Sequence, residues 1–75
     1  MAATHFTLRG EHITLDALLK ASGLAESGGA AKTLIAAGGV QVNGEPETRR
    51  GRKLRSGDAV SLGGASVRIA AAGPD

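Results

Sequence analysis

From Thr4 to Arg9 apolar and polar side chains alternate, with Phe6 and Leu8 on one side and Thr7 and Arg9 on the other. This is the period of a half-buried strand, and Gly10 ends it. The period then changes. Leu15, Leu18, Leu19 and Ser22 recur at helical spacing, with Thr14 ahead as an N-cap and Gly23 behind as a stop. Asp16 early and Lys20 late suit the dipole of this short helix. After the connector Leu24, Ala25 and Glu26, Ser27 is expected to cap a second helix. Its inner face reads Ala31, Leu34, Ile35 and Gly38, and its outer face Gly29, Lys32, Thr33 and Ala36. Gly38 and Gly39 break that helix, and Val40 and Val42 return to period two with Gln41 outward. Asn43-Gly44 predicts a tight hairpin turn, and Pro46 confines the strand that follows to an edge. Between Thr48 and Arg55 the one apolar residue is Leu54, which predicts an exposed loop pinned by a single buried side chain. Ser56-Gly57-Asp58 reads as a turn, residues 59–62 and 65–70 as strands joined by Gly63-Gly64, and residues 71–75 as a frayed tail.

The predicted order is β-α-α-β-β-β(-β), an α+β fold with two short helices packed on a small, mostly antiparallel sheet. At 75 residues the chain, 1–75, makes one domain, near the lower limit for a self-sufficient core. Its hydrophobic fraction of 41% is rich in alanine. Burial therefore falls to Phe6, Ile13, Leu15, Leu18, Leu19, Leu34, Ile35, Val40, Val42, Leu54, Val60, Val67 and Ile69. Cysteine is absent, which removes disulfides and thiolate metal sites and fits a reducing compartment, so the cytoplasm is the expected location. The first residues lack the basic and apolar regions of a signal peptide, and no run approaches the ~18 apolar residues of a membrane span. No membrane partner is expected.

Charge changes the picture more. The net charge is only +2, but five of the nine Lys and Arg residues (Arg49, Arg50, Arg52, Lys53 and Arg55) fall within residues 49–55 with no acid between them. A charge run is most often a solvated loop, and blunting a sheet edge needs one or two cations. Five in seven positions beside glycine make a field suited to phosphates. Ser27, Gly28 and Gly29 start the second helix, where unpaired N–H groups and absent side chains would let a phosphate approach, though Glu26 opposes it. Phe6 is the one aromatic residue. With no stacking platform expected at the surface, contact with nucleic acid should rest on phosphates and shape.

Other chemistry finds little support. Gly28 to Thr33 superficially resembles a P-loop, but Lys32 follows Ala31 and no strand precedes it. His5 and His12 have no partners at metal-ligand spacing, so no metal or cofactor is expected. Glu45 and Glu47 beside the basic run suit screening, or pairing with Arg49, better than acid-base work. No nucleophile, base and orienting group assemble, so neither an enzyme nor a small-molecule substrate is expected.

Several spaced motifs now join: Leu15-Asp16 with Leu18, Gly23-Leu24-Ala25-x-Ser27, Ala31-x-x-Leu34-Ile35-x-x-Gly38-x-Val40-x-Val42-Asn43-Gly44, and Lys53-Leu54-x-x-Gly57-Asp58-x-Val60. Together, over residues 15–60, they resemble the RNA-binding domain named after ribosomal small-subunit protein four, the alpha-L RNA-binding motif. The whole chain is similar to its small stand-alone bacterial members, the YbcJ-like group. That resemblance implies a helix pair and adjoining loop that bind structured RNA, such as ribosomal RNA, transfer RNA or pseudouridine-synthase substrates, in ribosome or RNA metabolism; the chain is expected to be a monomer. It implies contacts from Ser27, Gly28, Gly29, Lys32 and the basic loop. Relatives often carry arginines where Gly28 and Thr14 stand here, which shifts weight to Arg49, Arg50, Arg52, Lys53 and Arg55. The alternative is a small protein-interaction domain of beta-grasp type, since Val42-Asn43-Gly44-Glu45 and Leu54 to Val60 are also similar to sulfur carriers. Carriers rely on a terminal Gly-Gly where this sequence reads Ala72-Gly73-Pro74-Asp75, so carrier chemistry is not expected.

Overall fold

The computed structural model describes residues 2–72, with backbone alone for Ala2 and Ala3. Strand β1 (Ala2–Leu8) is followed by the two-residue β2 (Ile13–Thr14), then helices α1 (Leu15–Ala21) and α2 (Gly28–Ala36). Strands β3 (Val40–Val42), β4 (Glu45–Pro46), β5 (Lys53–Leu54), β6 (Ala59–Leu62) and β7 (Ala65–Ala71) complete the described chain. The main sheet has the order β1-β7-β6-β3-β4, and β2 pairs with β5 in a separate ribbon. Three of the four pairings in the main sheet are antiparallel, and β1 alone runs parallel to its neighbour β7. The architecture is the expected α+β one.

Both hairpins follow from their turn residues. Asn43 and Gly44 have φ of 52° and 86°, the left-handed pair that a two-residue turn matching strand twist requires. Pro46 sits on the edge strand β4, where no further neighbour asks for its missing N–H. The helix ends are equally local. Ser27 Oγ accepts the Ala30 N–H at 3.1 Å, capping α2 as expected. Gly23 and Gly38 take positive φ just beyond the two helices and stop them.

One cluster forms the core. It joins Leu15, Leu18 and Leu19 of α1, Ala31 and Ile35 of α2, and Leu8, Val40, Val42, Val60, Val67 and Ile69 of the sheet, with Ala25 and Leu54. Phe6, Ile13 and Leu34 pack against it only partly, while Leu8, on the apolar side of β1, and the small Ala25 and Ala31 are buried as well. Gly38 is exposed, not inward, because α2 has already ended. The segment read as an exposed loop contains β5, with Leu54 fully buried as its pin. Ala71 is still paired in β7 and the Ala72 N–H donates to Leu8 O at 3.2 Å, so order runs two residues into the expected frayed tail. Residues 73–75 of that tail lie outside the described residues.

Asn43 ties the first hairpin to the end of the basic segment. Its Nδ2 donates to Asp58 Oδ1 at 3.0 Å and its Oδ1 accepts the Ala59 N–H at 2.9 Å. Asn43→Ala should therefore lower unfolding free energy by about 1–3 kcal/mol, from backbone strain and two lost hydrogen bonds. Asn43→Gly, which relieves the strain, should lose about 1 kcal/mol in the same denaturant titration. Equal losses for the two variants would show that the φ of Asn43 carries no cost.

Candidate nucleic-acid interface

The first N–H groups of a helix have no partner within it and must find acceptors elsewhere. In α1 the Thr14 hydroxyl does not supply one: it donates to Asp16 Oδ1 at 2.7 Å, and that oxygen also accepts the Ala17 N–H at 2.8 Å. The basic loop supplies the rest. Leu15 N–H donates to Arg52 O at 2.9 Å and Asp16 N–H donates to Arg50 O at 3.1 Å. Pairing of Ile13 with Leu54 and Thr14 with Lys53 extends the same contact. At the far end, Asp58 Oδ2 accepts the Arg55 N–H at 2.9 Å, and this bond and the one from Asn43 hold the carboxyl below the usual range. The loop's carbonyls are thus occupied by the fold, and Arg50, Lys53 and Arg55 stand exposed.

Inside the loop lies one buried acid. Glu47 is 7% exposed. Its Oε2 accepts Arg49 Nε at 3.1 Å and the Arg49 N–H at 3.0 Å, and its Oε1 accepts Arg52 Nη1 at 2.8 Å. The side-chain bonds from Arg49 and Arg52, then the Arg49 backbone, hold its pKa down to about 2 from 4.5, against the opposing effect of burial. Glu47 in turn raises the pKa of Arg49. Pairing does not remove the arginines from the surface equally, since the Arg49 side chain is 75% exposed and that of Arg52 35%. Arg49, Gly51, Arg52 and Lys53 line an open cleft of about 460 Å³, a concavity with cations on its walls.

The second candidate cluster is separate. Lys32 is exposed on the outer face of α2, and Ser27, Gly28 and Gly29 are exposed at its start. A Cβ at Gly28 would meet nothing within 4 Å, and one at Gly29 only Ser27 Oγ at 3.9 Å, so no crowding within the described residues requires these glycines. No hydrogen bond among the described residues joins this cluster to the loop; α1, which packs on α2 and is capped by the loop, connects them. Among the described residues no group of three or more His, Cys, Asp and Glu is placed to hold a metal, and His5 and His12 are exposed. No helix among them is long and apolar enough to cross a membrane. The Glu47–Arg49 pair was expected from spacing; the burial of Glu47, its second bond to Arg52 and the anchoring by Asn43 and Asp58 were not. Asn43-Gly44 and Gly57-Asp58 carried that last signal, but read as isolated turns they gave no hint of each other.

The chain is similar to known proteins. A family model described as S4 domain matches residues 6–70. The chain is 47% identical over 60 residues to "Putative RNA-binding protein YbcJ" of Escherichia coli (strain K12), covering 80% of this chain and 86% of that one. It is 44% identical over 62 residues to "Probable ribosome maturation protein RlbA" of Bacillus subtilis (strain 168), covering 83% and 87%. The solution structure of E. coli YbcJ, described as revealing an αL motif involved in RNA binding, matches with a TM-score of 0.69 and 43% identity. That match covers 88% of this chain and 85% of that one.

The depressed pKa of Glu47 fixes a sign for stability against pH. Its contribution is complete above about pH 4.5, the unfolded value, and is lost as pH falls toward about 2. Asp58, also lowered, acts in the same direction. Thermal melts should show a level Tm near neutrality that falls through the acid range. Glu47→Gln should lower Tm at neutral pH and flatten that fall, and an unchanged acid limb in this variant would mean that Glu47 is not its source.

Proposed function

The chain belongs to the S4 domain family, and on that premise we propose that it is a non-catalytic cytoplasmic module, monomeric when free, that grips structured RNA through phosphates and shape. The observation that carries this reading is the loop at residues 47–55, whose Arg50 and Arg52 carbonyls cap α1 while Arg49, Arg50, Lys53 and Arg55 are exposed. A cation held on a fixed backbone loses less freedom on meeting a phosphate than one on a mobile tail. Arg50, Lys53 and Arg55 are the primary contacts. Arg49 and Arg52 use the guanidinium edges that Glu47 leaves open. Lys32 extends the surface on α2, where Ser27, Gly28 and Gly29 leave room for a further phosphate. The names of the relatives, an RNA-binding protein and a ribosome maturation protein, favour ribosomal RNA over transfer RNA as the target class.

Neutralising four or five phosphates gives log affinity a slope of about −3 to −4 against log salt. Alanine at Arg50, Lys53 and Arg55 together should weaken binding to a structured RNA and reduce that slope by about 2 to 3, measured by fluorescence anisotropy. Binding that survives this replacement with its salt dependence intact would remove the loop from the interface. Glu47→Gln gives a sharper outcome. It removes a buried negative charge and so raises the net positive charge, yet by freeing the loop it should lower affinity; a rise in affinity would mean that charge alone governs binding.

A further inference from the structure

Phe6, the one aromatic residue, is not sealed in the core. It is half-buried, packed against the core cluster on one side, and on the other lines an open cleft of about 370 Å³ with Thr7, Leu8, Arg9, His12 and Ile13. The expectation that no aromatic reaches the surface is corrected here. β1 is the edge strand of its sheet, so no neighbouring strand on that side covers the ring. Clefts of roughly this volume fall within the range that small ligands occupy.

The cleft is also joined to the basic loop through the pairing of β2 with β5. Ile13 pairs with Leu54 and Thr14 with Lys53, so the next positions along the two segments are His12 and Arg55. The apolar wall of Phe6 and Ile13 is therefore rimmed by Arg9 and His12, with Arg55 following along the chain from Leu54. Glu11 is exposed in the same bend but does not line the cleft. An aromatic wall with Arg9 at its rim, joined to the basic loop through the pairing of Ile13 with Leu54, fits a nucleotide better than an apolar peptide or a second copy of this chain. Base stacking on an aromatic face is tolerant of sequence and adds to phosphate contacts.

We propose that this cleft takes one unstacked nucleobase of the RNA held by the basic loop, with the base against Phe6 and Ile13 and its phosphate toward Arg9. The proposal rests on the RNA-binding reading above and goes beyond it, because it adds a base contact to an interface otherwise made of phosphates.

The ring protons of a single phenylalanine provide a direct reporter. The unmodified protein would be titrated with two hairpin RNAs, one carrying a single unpaired bulge nucleotide supplied as all four bases, the other identical but fully paired in its stem. Both should shift the amide signals of the basic loop, and the bulged hairpin alone should shift the Phe6 ring protons. Phe6→Leu, which keeps an apolar side chain against the core, should weaken binding of the bulged hairpin about tenfold and leave the paired one unchanged. If both hairpins move the loop signals while the Phe6 ring stays still, this inference falls and the phosphate reading stands. If neither moves any signal, both fall. Ring shifts that follow protein concentration instead of RNA would assign the cleft to a second copy and overturn the proposal.

Discussion

The N-terminus of α1 needs acceptors that its own N-cap does not provide, and it takes them from the backbone of the basic loop. Two hydrogen bonds, from Leu15 N–H to Arg52 O and from Asp16 N–H to Arg50 O, have ordinary lengths and specific partners. Everything else at the site follows from them. The carbonyls of Arg50 and Arg52 face the helix, Leu54 is buried in the core, and Arg49, Arg50, Lys53 and Arg55 are left exposed. A segment that composition describes as a charge run is, in the folded chain, the cap of a helix.

Like charges gathered so closely repel, and the fold answers with two acids placed differently. Glu47 is buried beneath the loop and bonds Arg49 and Arg52, which joins the entry of the loop to its middle. Asp58 stands at the exit, where it accepts the Arg55 N–H and the Asn43 side chain. Glu47 pairs with the exposed Arg49 and with Arg52, while Arg50, Lys53 and Arg55 form no salt bridge among the described residues. Those three cations keep their charge on the surface, and the same groups that stabilise the fold also aim the site.

Much of this was legible in the sequence because it depends on local chemistry. The Asn43-Gly44 hairpin, the Ser27 cap, the edge position of Pro46, the glycine stops after both helices and the family itself follow from short-range patterns of residues. What escaped were pairings across sequence distance. Thr14 has the side chain of an N-cap, and nothing local says that Asp16 will engage it and leave the capping to Arg50 and Arg52. Glu47 reads as one of two alternating strand carboxylates, and its burial depends on how residues 47–52 close over it. Phe6 reads as core by residue type; its half-exposure follows from β1 lying at a sheet edge, in a parallel pairing with β7 that no neighbouring residue announces.

The central claim is that a preorganised basic loop makes this chain an RNA-binding module, and recovery of RNA from living cells tests it most directly. Ultraviolet crosslinking of the intact chain, followed by sequencing of the attached RNA, should return fragments of structured RNA, and the crosslinked peptides should include residues of the 47–55 loop. Recovery no greater than from an unrelated basic protein of equal size, or crosslinks confined to other parts of the chain, would contradict the account.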